Sequence, residues 1–133
     1  MNNKSKKILT EISPGELLDK ISILEIKLVK IKDKKNLDEI NKEYESLIET
    51  KKLYIKSTKE LENLINEIKK INLILWEVED KIRICEKNKN FSKEFIELAR
   101  NVYLNNDKRA KIKSDINEIL GSNIKEIKQY VKY

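Results

Sequence analysis

Apolar residues recur along this chain at spacings of three and four, the period of a helix, and the polar breaks between such runs divide it into segments. Leu17, Ile21, Leu24, Leu28 and Ile31 form one unbroken stripe. Ser13-Pro14-Gly15-Glu16 precedes it. Ser13 can cap, Pro14 suits a first turn, and Glu16 completes a capping box. A helix is therefore predicted over 13–32. Leu18, Ile23, Ile26 and Val29 widen its apolar surface beyond one face, which places it inside a bundle or at an oligomer interface.

After the polar break Asp33–Lys35, Asn36 with Glu39 reads as a second capping box. It opens a helix carrying Leu37, Ile40, Tyr44 and Leu47 and ending near Tyr54. Ser57 with Glu60, or Thr58, then starts a third. Leu61, Leu64, Ile68, Ile71, Leu75, Val78, Ile82 and Cys85 repeat over about four heptads, roughly 28 residues and about 42 Å of helix. Asn88-Lys89-Asn90 breaks it. Ser92 caps a fourth helix, with Phe91 placed to staple onto Ile96. That helix follows Phe95, Leu98, Val102, Asn105, Arg109, Ile112, Ile116 and Ile119 to Gly121, a residue suited to a helix C-terminus. Asn123 with Glu126 starts a short last helix, or the tail folds only on contact.

These segments predict an all-α fold: an antiparallel helical bundle with a long hairpin over about residues 58–120 and two shorter N-terminal helices. The predicted organisation is a basic tail over 1–12, a helical domain over 13–121 and a tail or short helix over 122–133. No run alternates with the period of a strand. Gly is 2 and Pro is 1 in 133 residues, which leaves few turns and long elements. Of the net charge of +6, Met1–Lys7 carries +3 and Asn123–Tyr133 carries +2, leaving +1 for the body. A body so nearly neutral lacks the basic stripe that phosphate backbones require, so no specific nucleic-acid partner is expected. No apolar run reaches 18 residues and the first residues are polar, so neither a transmembrane segment nor a signal peptide is expected. The single Cys85 cannot form an internal disulfide, which fits a cytoplasmic protein.

The long hairpin carries charge on otherwise apolar faces. If it folds back about residues 89 and 90, Glu79 meets Arg100, Trp76 meets Tyr103, and Asn72 meets Asp107. Asn105 and Arg109 interrupt the stripe of the fourth helix. Buried polar groups require partners or a ligand. The expected seam therefore comprises Asn72, Trp76, Glu79, Asp80, Arg83, Arg100, Tyr103, Asn105, Asp107 and Arg109. It either fixes helix register or forms a ligand site. Arg109 cannot lose its proton and Asp107 lies on the wrong face of the same helix. Its partner is expected from Asp19, Glu25 or Glu67. Arg is scarce, 3 residues against 26 Lys. Arg83, Arg100 and Arg109 thus mark places that need a planar fork, or stand there by chance.

Catalytic chemistry finds little support. His is absent, which removes the commonest general base and metal ligand. No Gly-rich loop cradles phosphate. Cys85 lies on an apolar stripe and reads as core. Glu77/Asp80 and Glu94/Glu97 have the i, i+3 spacing that could share Mg²⁺, yet roughly four such pairs are expected by chance among these acidic residues, and the chain has four. No catalytic residue, metal or cofactor is assigned.

Ser13 to Lys27 (SPGELLDKISILEIK), then LWEVEDKIR at 75–83, then FIELARNVY at 95–103 through NDKRAKIK and Ile119-Leu120-Gly121-Ser122, resemble an uncharacterised family, domain of unknown function 6165. The resemblance spans nearly the whole chain. It implies a small bacterial or viral protein, associated with surface-glycan gene neighbourhoods, and carries no catalytic residues. The expected function is a helix-mediated interaction or oligomerisation module, homo-oligomeric or partner-binding through helix 13–32 and accessory to surface-glycan biosynthesis. The alternative is a small-molecule-binding protein or enzyme with its site in the polar seam.

Overall fold

The structure, a computed structural model, describes residues 6–133. The first five residues of the predicted basic tail, Lys4 among them, lie outside the described residues. Four helices follow in order: α1 Pro14–Lys30, α2 Lys34–Tyr54, α3 Lys59–Lys87 and α4 Lys93–Ile119. No strand occurs among the described residues, and the fold is the all-α bundle expected. None of these helices is long and apolar enough to cross a membrane.

Local chemistry explains where the first three helices begin. Ser13 Oγ accepts from the Glu16 N–H, and Pro14 has no N–H to satisfy. The Glu16 carboxylate leaves the expected capping box and pairs with Lys113 instead. α2 starts earlier than Asn36, because Asp33 is its cap and accepts from the Asn36 N–H. Thr58 caps α3 through the Leu61 N–H, while Ser57 bonds Glu62. Ser92 makes no side-chain cap, and Phe91 packs edge-on against Phe95.

Both long helices end in the same backbone motif. At α3, the Lys89 N–H bonds the Glu86 carbonyl and the Asn90 N–H bonds the Cys85 carbonyl. At α4, Gly121 and Ser122 bond Glu118 and Asn117 in the same way. The motif needs a left-handed residue, supplied by Gly121 at φ +62° and, less comfortably, by Lys89 at φ +54°. The chain after Gly121 forms no helix. It runs back along α4, fixed by Glu126 on Lys113 and by Tyr133 on Asp107.

α1 is the central element and packs against all three others, whereas the backbone of α2 approaches α1 alone. Leu17, Leu18 and Ile21 of α1 meet Leu61 and Ile68 of α3 and Ile112 and Ile116 of α4, with Tyr44, Leu47 and Ile48 of α2 packed alongside. Leu24 and Ile26 are buried as well. Much of the apolar surface that marked helix 13–32 as a partner surface is therefore covered within the chain, while Val29 is left 71% exposed. The hairpin is richly buried at its base and thinly at its tip: between Glu79 and Leu104 only Cys85 is buried.

Candidate functional site

At the middle of α1 the apolar surface is interrupted by Asp19 and Ser22, both buried, with Asp19 only 1% exposed. A carboxylate there must be paired, and two helices supply the partners. From α4, Arg109 Nε donates to Asp19 Oδ1 at 2.9 Å and Nη2 donates to Oδ2 at 2.5 Å, a two-pronged contact. From α3, Asn72 Nδ2 donates to Asp19 Oδ1 at 2.9 Å and to Ser22 Oγ at 2.7 Å. The Ser22 hydroxyl in turn donates a hydrogen bond to the Asp19 carbonyl. The bond to Asp19 raises the Arg109 guanidinium above its ordinary value despite burial, so it stays charged.

One turn toward the start of α1, Lys113 is held by Glu16 at 2.7 Å and Glu126 at 3.1 Å, with Asp19 at 4.0 Å. Burial works to lower the Lys113 ammonium, and these carboxylates outweigh it and raise it. Next along α4, Asn117 Oδ1 accepts from the Gly15 N–H at 2.7 Å and so caps α1 from another helix. Gly15 is required there: a Cβ would lie 2.5 Å from the Lys113 carbonyl oxygen.

Above this polar centre a cleft of about 490 Å³ opens between α1 and the hairpin. Arg109, Asn72 and Asn106 line it with Ile23, Ile26 and Leu75. Trp76, Glu79, Asp80 and Arg83 complete the lining along α3. Arg109 Nη1 reaches only Asn106, at 3.4 Å, and Arg83 meets Glu79 loosely at 3.7 Å.

The expected seam is thus brought together in part. Asn72, Trp76, Glu79, Asp80, Arg83 and Arg109 converge on the cleft. Arg109 takes Asp19, one of the three partners expected for it. The cross-hairpin pairs do not form. Asn72 turns to α1 rather than Asp107, and Glu79 bonds Arg83 rather than Arg100. Asp107 accepts from the Tyr133 hydroxyl, Tyr103 packs edge-on against Tyr133, and Arg100 is exposed beside Tyr103. Asn105 is buried but bonds the Asn101 carbonyl of its own helix. Asp80 lines the cleft while Glu94 and Glu97 line a separate groove near the hairpin tip, so the two carboxylate pairs do not meet. Ser22, Lys113, Asn117 and Asn106 escaped sequence reading. Lys113 and Asn117 sit one position beyond Ile112 and Ile116, a signal available only once three helices are seen to surround that edge.

No curated protein and no solved structure matches the chain. A family profile matches residues 8–132, nearly the whole length, and that family is one of unknown function. The phrases at 13–27, 75–83 and 95–122 all fall within the match, and the chain belongs to the family of unknown function DUF6165.

Proposed function

We propose that this protein binds a small polar molecule in the cleft between α1 and the α3–α4 hairpin. The observation that carries this reading is the convergence there of an indole, two carboxylates, two guanidiniums and two amides on a floor immobilised by Asp19. Ligand sites combine an apolar wall with a few fixed polar groups, and Leu75, Trp76, Ile23 and Ile26 supply that wall. Both donors and acceptors line it, which suits a ligand bearing both kinds of group. Nucleotides, sugar nucleotides, amino acids and free sugars are the first to test.

Trp76 is the only Trp, so its emission reports on the cleft directly. A ligand should shift that emission and raise the melting temperature, since binding to the native state stabilises it. Arg83→Ala and Asp80→Asn, both at exposed positions, should fold normally and lose the response. If no member of the four ligand classes changes either signal at millimolar concentration, the reading fails.

A second reading, helix-mediated assembly, is favoured by Ile84, Phe91 and Ile96, all more than half exposed near the hairpin tip. A mass above the monomer in light scattering that returns to the monomer with Ile84→Asp and Ile96→Asp would support it. A monomeric wild type would exclude it.

A further inference from the structure

The five most exposed large apolar side chains among the described residues all belong to the two terminal segments. They are Val131 at 91%, Ile8 at 90%, Leu9 at 89%, Ile127 at 84% and Tyr133 at 83%. The two segments lie together, because Asn123 Nδ2 donates to Glu11 Oε2 at 2.9 Å. The C-terminal one is pinned along α4 by Glu126 on Lys113 and by Tyr133 on Asp107. Between those pins Ile127, Tyr130 and Val131 are all more than two-thirds exposed, Tyr130 and Val131 at the rim of a groove beside Val102 and Tyr103.

Lysines interleave with these side chains: Lys6 and Lys7 before Ile8 and Leu9, and Lys125, Lys128 and Lys132 around Ile127 and Val131. The one acidic side chain of the C-terminal segment, Glu126, is engaged by Lys113 at 3.1 Å and more loosely by Lys128 at 3.6 Å, which leaves Lys125 and Lys132 without an acidic neighbour in that segment. Exposed aliphatic and tyrosine side chains set among lysines match the interface of an anionic bilayer. There the apolar tips enter the headgroup layer and the ammonium groups meet the negative surface. A nucleic acid would use the lysines and could stack on Tyr130 or Tyr133, but it would leave Ile8, Leu9, Ile127 and Val131 in water.

We infer that the paired terminal segments, 6–11 and 123–133, dock this protein onto an anionic membrane surface. Docking through so few side chains is peripheral and reversible. It is independent of the cleft and of whatever the cleft binds.

Co-sedimentation of the full chain with vesicles tests this. Wild type should bind phosphatidylcholine vesicles containing phosphatidylserine and not phosphatidylcholine alone, and added salt should weaken binding. Replacing Lys125, Lys128 and Lys132 by Gln should weaken it roughly fivefold per lysine, about a hundredfold in all. Ile127→Asp with Val131→Asp should also release the protein, while circular dichroism and melting temperature stay at wild type because both side chains are exposed. Binding without preference for phosphatidylserine, or no vesicle binding at all, overturns the inference. So does tight binding to a DNA or RNA oligonucleotide that the two Asp substitutions leave intact while vesicles are ignored.

Discussion

Asp19 is the residue on which three helices agree, and its neighbours make its removal or isolation costly. Arg109→Ala would strand a carboxylate that is 1% exposed beside only Asn72 and a distant Lys113. Breaking such a buried pair costs about 3–5 kcal/mol, and urea melts should show that loss. Arg109→Lys should also be destabilising, since an ammonium cannot span both carboxylate oxygens. Wild-type stability in both variants would show that the pair holds nothing together. Gly15 offers a second check at this scale. Gly15→Ala places a methyl against the Lys113 backbone carbonyl, which cannot yield as a side-chain tip would. A cost of about 1–3 kcal/mol is expected, as for other overpacked contacts. The Arg109 partner was within reach of sequence reasoning, because a charge on an apolar stripe needs an opposite charge and few carboxylates were available. The role of Gly15 was not. The Ser-Pro-Gly phrase reads as a helix start, and the close approach of α4 requiring glycine is a tertiary fact.

At the scale of elements, helix boundaries were legible because caps are local chemistry. Where two caps competed, as at Asp33 and Asn36, spacing to the following glutamate misled: the actual bond is donated by the Asn36 N–H to the Asp33 carboxylate, and Glu39 plays no part in it. Cross-hairpin pairing was not legible. Register arithmetic treats α3 and α4 as alone, and α1 draws Asn72 and Arg109 out of the two-helix seam. Two further outcomes belong here. Lys89 occupies a left-handed position that glycine fills without strain at the matching end of α4. Lys89→Gly should therefore stabilise the protein by about 1 kcal/mol, read as a shift in the urea midpoint. The second concerns the C-terminal segment. The bond from Lys113 holds the Glu126 carboxyl below its ordinary value of 4.5. A depressed carboxylate contributes stability above that value and loses it as pH falls through the folded value. Lys113 is raised from 10.5, so its share is complete below 10.5 and fades only at higher pH. The segment should stay docked between these limits and be released in acid, with amide exchange in residues 123–133 accelerating before the helices melt. Glu126→Gln should remove the acid step.

For the whole molecule, the same burial pattern that locates the site also sets an order of opening. α1 packs against all three other helices and holds Leu17, Leu18, Asp19, Ile21, Ser22 and Leu24 in the interior. α2 has no fully buried residue and touches the backbone of α1 alone, tied to it by one bond from the Tyr44 hydroxyl to Glu25. The hairpin tip has Cys85 as its only buried residue from Glu79 to Leu104. Free energies of local opening follow buried contacts, so protection from exchange should be unequal across one small domain. Amides of α1, of α3 from Leu61 to Asn72 and of α4 from Asn105 to Asn117 should exchange only with global unfolding. Those of α2 and of the tip should exchange through smaller openings that leave the Asp19 centre intact. A ligand in the cleft touches α1, α3 and α4 but not α2, so it should slow exchange in the first set and leave α2 unchanged. Uniform protection of all four helices would mean that α2 and the tip are held by contacts absent here, such as a second subunit, and would turn the argument toward assembly. Selective loss in α2 and the tip would instead place the stable unit of this fold at the three-helix junction around Asp19.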